Sequence, residues 1–153
     1  MRYKGVKGWL LLLCISMTIL DPGAILFNLI LVTDVIRPLF EQYPAFLRLL
    51  LINGACGIGL AVFSIYAGIS LWKALPHAVP VAKRYLMSVF AYSIISIYLP
   101  RLVGIPEGLS ESTSKNTLFN SLTVMMYTTL WYLYLKYSRR VRATFGMAQG
   151  RNS

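Results

Sequence analysis

Acidic residues are scarce in this chain. Its 153 residues hold five Asp and Glu against fifteen Lys and Arg, a formal charge of +10. Histidine occurs once, at His77, and cysteine twice, at Cys14 and Cys56. Each shortage excludes a chemistry. One His and so few acids leave no set spaced to ligate a metal. Glu107 and Glu111 are four apart but fall in a Gly/Ser-rich stretch expected to be a loop. A nucleophile elbow, a Gly-rich phosphate loop and paired carboxylates at working distance are all missing, so no catalytic residue, cofactor or metal is expected. The cysteines form no CxxC pair and both lie inside apolar runs. That excludes a membrane thiol oxidoreductase and leaves them as small, buried packing residues. No basic stripe interleaves with aromatics on a soluble face, so nucleic acid is not an expected partner.

What is present is apolar. Hydrophobic residues make up 57% of the chain, above the ~45–50% usual in soluble domains. Four apolar runs stand out, at about 9–33, 47–72, 85–103 and 118–136, followed by a basic tail over 137–153. A helix needs about 20 residues to cross a hydrocarbon core of about 30 Å. The reading is a single integral membrane domain over 1–153, an all-α bundle of four transmembrane helices. Arg2, Lys4 and Lys7 before the first run imitate a signal peptide. The run then outlasts the ~15 residues of a signal core and meets no small-x-small cleavage site, so it reads as an uncleaved first span.

Charge placement sets the expected topology. The N-terminal segment, the connection carrying Lys73, Lys83 and Arg84, and the tail with Lys136, Arg139, Arg140, Arg142 and Arg151 contain no acid. The other two connections hold Asp34, Glu41, Glu107 and Glu111. Positive residues resist translocation, which places both termini in the cytoplasm. Trp9, Trp72 and Trp131 then all fall near cytoplasmic span ends.

Asp21 is the one acid inside a span, 12 residues past Trp9, or about 18 Å along a helix. A carboxylate near mid-membrane costs about 2.5–3.5 kcal/mol on insertion scales, which makes it a functional candidate. One reading is a proton or cation relay, with Asn53, Tyr92 and Tyr127 as polar companions around a cavity. The other is structural: in Asp21-Pro22-Gly23 the acid caps a restarted helix whose first position is proline, so that the first span is kinked or broken there. Gly54, Gly57, Ala61, Ser64 and Gly68 form a stripe of small residues on one face, expected to let a neighbouring helix approach closely. Asn116, Asn120, Thr123, Tyr127, Trp131 and Tyr134 form a polar-aromatic stripe expected to face the other helices. Ile36, Leu39, Phe40, Tyr43 and Phe46 suggest a short helix lying on the outer leaflet.

Three stretches carry a family likeness: Gly5-Val-Lys-Gly-Trp-Leu-Leu-Leu, the connection from Leu71-Trp-Lys-Ala-Leu-Pro-His to Lys83-Arg-Tyr-Leu, and the end Leu130-Trp-Tyr-Leu-Tyr-Leu-Lys-Tyr-Ser-Arg-Arg-Val-Arg-Ala-Thr-Phe. Together they resemble the bacterial inner-membrane proteins grouped as domain of unknown function 2569. The likeness implies four helices and an inner (cytoplasmic) membrane location, and no activity. Asp21 departs from the apolar residues expected before that proline. These motifs gather at the cytoplasmic side. Trp9, Lys73, Lys83, Arg84, Trp131, Arg139, Arg140 and Arg142 would form one basic, aromatic-rich face. Its expected partners are membrane lipids, anionic ones included, or a membrane protein. The expected role is non-enzymatic, through such contacts; the alternative is a small proton- or cation-linked transporter using Asp21.

Overall fold

A computed structural model describes residues 8–41, 43–105 and 107–149, and these are helical almost throughout. Helix α1 (Trp9–Ile15) passes into a π-helical stretch, Ser16–Leu20, and on into α2 (Asp21–Ile36). A 3-10 turn (Arg37–Leu39) leads to α3 (Pro44–Trp72), then α4 (Ala78–Leu102), α5 (Glu107–Tyr137) and α6 (Arg139–Gln149). Among the described residues, three stretches are long and apolar enough to cross a membrane: Trp9–Ile36, Pro44–Trp72 and Ala78–Leu102. α5 is not one of them. It has 31 residues, about 46 Å of helix, but spends part of that length on Asn, Ser and Thr.

Apolar runs mark where a chain can sit in lipid, not where a helix begins, and several boundaries move accordingly. α4 starts at Ala78, so Lys83 and Arg84 ride on its first turns instead of in a loop. Pro80 falls in that first turn, where a missing N–H costs nothing. α5 starts at Glu107, so the stretch read as a loop is helical. The segment after residue 33 is no separate surface helix. α2 continues to Ile36, and Ile36, Phe40, Tyr43 and Phe46 pack with Leu49, Leu99 and Ile105 in an apolar cluster. The side chain of Leu39 lies outside the described residues. Cys14 is buried as expected, but Cys56 is exposed.

The first stretch is not broken at Asp21. Backbone dihedrals stay right-handed helical at Ile15, Ser16, Leu20 and Asp21. Asp21 is not the residue that caps α2: that position belongs to Leu20, and no side chain bonds there. The interruption takes the form of the wider turn just before Pro22. Proline has no N–H to offer the carbonyls one turn back. The Met17 carbonyl receives the buried Ser64 hydroxyl instead, at 2.6 Å. The stripe of small residues is what brings α3 near enough for this. A Cβ on Gly54 would touch Leu29, and one on Gly57 would lie 3.2 Å from Ile25. The closest approach is at Gly68, which faces the backbone of Thr18.

A second cluster closes the other end. Leu10, Leu13, Cys14 and Met17 meet Leu71, Ala78, Ala82, Trp131 and Leu135, with Val141 and Phe145 of α6. This end carries the start of α1 and the end of α5, so the two run in opposite directions.

Gly68→Ala would set a methyl group 3.0 Å from the Thr18 nitrogen and 3.2 Å from its Cα. Overpacking against backbone costs about 1–3 kcal/mol, more than the helix-propensity gain of about 1 kcal/mol. Thermal unfolding in detergent should show Gly68→Ala below the wild-type midpoint. Gly59→Ala, with nothing near its Cβ, should match or exceed it.

Candidate functional site

Asp21 occupies the first turn of α2 and turns its carboxylate toward α4 and α5. The Tyr127 hydroxyl donates to Oδ1 at 2.8 Å, and the Tyr85 hydroxyl donates to Oδ2 at 3.1 Å. Ser16 Oγ pairs with the Tyr127 hydroxyl. A phenol carries one proton, and Tyr127 gives it to Asp21, so Ser16 is the donor to Tyr127. A chain of bonds therefore runs Ser16–Tyr127–Asp21–Tyr85 and joins three helical stretches. Tyrosine suits the job because its ring lies among apolar side chains while the hydroxyl reaches the carboxylate. The Tyr85 ring stands edge-on to Phe63, and Tyr127 edge-on to Trp131.

Asp21 and Tyr127, named together from the sequence, are thus in direct contact. Asn53 and Tyr92 bond each other instead: the Tyr92 hydroxyl donates to Asn53 Oδ1. Tyr92 is seven residues beyond Tyr85 on α4, or about 10 Å, so these two form a separate pair. Ser96 and Ser121 lie one turn further along that seam, 3.2 Å apart. Tyr85 and Ser16 have no counterpart among the residues singled out in the sequence, and Ser64 figures there only as a small residue of the α3 stripe, not as a hydrogen-bond donor. Tyr85 stood at the edge of an apolar run, where an aromatic ring reads as an interface anchor. The spacing of seven to Tyr92 was the available signal. Two buried or half-buried groups near the tryptophans complete the polar set. Trp72 Nε1 donates to Thr18 Oγ1 at 3.1 Å, and the Tyr134 hydroxyl is buried with no partner among the described residues.

The residues expected to form a basic face also converge. α6 was not foreseen as a helix, but Val141 and Phe145 are spaced for one, and both bury in the cluster that holds Ala78, Ala82 and Trp131. This fixes the tail beside the start of α4. Lys73, Arg84, Arg139 and Arg142 are exposed around it. Lys83 is half-buried, its Nζ 5.9 Å from the centre of the Tyr132 ring. Trp9 is exposed, whereas Trp131 is buried and serves the core. The side chain of Arg140 lies outside the described residues. A shallow apolar groove of about 620 Å³ runs beside Trp9, Leu12 and Ile15 at the same end. Among the described residues no three His, Cys, Asp or Glu gather as a metal site.

A family described as protein of unknown function (DUF2569) matches residues 3–146. No curated protein and no solved structure matches the chain.

Removing either tyrosine hydroxyl leaves a carboxylate oxygen without its donor, a loss of about 1–3 kcal/mol. Tyr127→Phe should destabilise more than Tyr85→Phe, because it also strands Ser16. Denaturant titration of the two variants, read by tryptophan fluorescence, gives the order.

Proposed function

The chain belongs to the DUF2569 family, and we propose that it is a non-enzymatic protein of the bacterial inner membrane. In this reading it crosses the bilayer four times, keeps both termini in the cytoplasm, and engages anionic lipid headgroups with its basic, aromatic-rich end. The fourth crossing is α5, whose Asn and Tyr residues keep it less apolar than the other three. The topology follows from the acid-free basic segments at the tryptophan end.

One observation carries the lipid reading. α6 folds back on the core through Val141 and Phe145, so the bases of the tail are held beside those of α4 and not left on a free strand. Each Lys or Arg at the surface of an anionic leaflet is worth about 1 kcal/mol, and a fixed set pays no further ordering cost. The groove beside Trp9 gives an acyl chain an apolar path below the headgroup. A membrane-protein partner with an acidic surface would use the same charges.

A second reading, a small proton- or cation-linked transporter, is favoured by a different observation. Asp21 does not spend its carboxylate on backbone amides; it presents it to two tyrosine hydroxyls inside the membrane.

The lipid reading is tested with Arg139, Arg140 and Arg142 replaced together by Gln, after the inserted topology is verified. Quenching of the native tryptophans by brominated anionic and zwitterionic lipids reports the preference. At about 1 kcal/mol per base, the triple variant should lose roughly tenfold or more of its preference for the anionic lipid. An unchanged preference removes the idea.

A further inference from the structure

The two sides of the Asp21–Tyr127 bond differ. Toward the tryptophan end, Leu10, Leu13, Met17 and Leu135 are buried and close the space. Away from it, the faces that carry Asp21 and Tyr127 continue without being covered. Asn28 lies seven residues beyond Asp21 on α2, and Asn120 seven residues before Tyr127 on α5. Seven residues are two turns, which return a side chain to the same face within about 20°. Because α2 and α5 run in opposite directions, Asn28 and Asn120 stand at the same height, about 10 Å above the bond. These are the faces that meet at the Asp21–Tyr127 bond, yet both asparagines are exposed. Thr123, one turn above Tyr127, is exposed as well, its hydroxyl donating to the Phe119 carbonyl at 3.1 Å and keeping its oxygen lone pairs free to accept. Above the bond, neither helix covers the polar face of the other. Asp21 and Tyr127 at the foot of this opening are only half-buried.

We propose that this opening is a water-filled vestibule that brings a hydrated monovalent cation from the outer side of the membrane to Asp21. Its walls have the right chemistry. An amide turned to hydrocarbon without a hydrogen-bond partner costs several kcal/mol, so Asn28 and Asn120 are better placed against water than lipid. Carboxamide and hydroxyl oxygens can replace part of a cation's hydration, and the Asp21 carboxylate at the foot supplies the charge that attracts it. The apolar cluster behind the carboxylate stops the path there, so the site is reached from one side. The vestibule rests on the four-crossing topology and not on the lipid reading.

The test introduces Asn28→Cys, Thr123→Cys and Asn120→Cys singly into full-length protein carrying Cys14→Ala and Cys56→Ala. Each is reacted with membrane-impermeant thiol reagents, one cationic and one anionic, in intact cells and in inverted vesicles. Leu26→Cys and Ile30→Cys, exposed on another side of α2, are the lipid-facing controls, because a thiol in hydrocarbon does not ionise or react. The vestibule predicts labelling of 28, 120 and 123 from outside and silence at 26 and 30. The cationic reagent should react about tenfold faster than the anionic one through the pull of the carboxylate. Adding Asp21→Asn should cancel that difference while leaving the sites reactive. No labelling above the controls from either side overturns the vestibule and leaves the topology standing. Labelling from the cytoplasmic side alone overturns both. Equal rates for the two reagents leave no role for the carboxylate and overturn the cation assignment.

Discussion

A carboxylate placed in the middle of a membrane span must find donors within the protein, and Asp21 finds them on two other helices. That requirement organises the rest. For Tyr85 and Tyr127 to reach one residue, α4 and α5 must present the same level of their length to the first helical stretch. For Asp21 to sit there, the chain must pass Pro22 without losing its helical course. The π-helical stretch achieves this, and its cost is a carbonyl at Met17 with no amide to receive. Ser64 supplies the missing donor, but only because Gly57, Ala61 and Gly68 let α3 come close. The small-residue stripe, the proline and the tyrosines are thus parts of one arrangement.

The arrangement also divides the molecule. The tryptophan end is closed by large apolar side chains and ringed by bases. α6 is held there by its own two apolar residues. The opposite end is joined by its own cluster around Phe46 and Leu99, but the polar faces of α2 and α5 between the two clusters are uncovered. The proposed lipid contact and the proposed polar path to the carboxylate are compatible. The first would act at the leaflet surface, and the second within the span. They share the closed apolar end, which anchors the tail through Val141 and Phe145 and lies behind the carboxylate.

Much of the fold is legible in the sequence, because membrane insertion is decided by composition. The runs that include residues 9–33 and 47–72 stand out as apolar, and the stripe from Gly54 to Gly68 announces a close helix contact. Helix ends were harder. Lys83, Arg84, Glu107 and Glu111 look like loop residues by charge, yet a helix extends freely into the headgroup region, where charge is welcome. The site was half legible. Asp21 and Tyr127 were marked as polar groups in apolar surroundings, and they do meet. Asn53 and Tyr92 were marked by the same rule but satisfy each other, since a polar type says that a partner is needed and not which one. One of the two readings made Asp21 a cap, because aspartate suits that position and proline suits the next; a π-helical stretch leaves no comparable mark in a single sequence.

The tie between Asp21 and Tyr127 is measured most directly by a double-mutant cycle with Asp21→Ala, Tyr127→Phe and the pair, each unfolded in detergent. Residues that bond each other should couple by about 1 kcal/mol or more, so that the pair costs clearly less than the two single changes combined. Additivity within about 0.5 kcal/mol would mean that the carboxylate and the hydroxyl do not meet, and it would contradict this account at its centre.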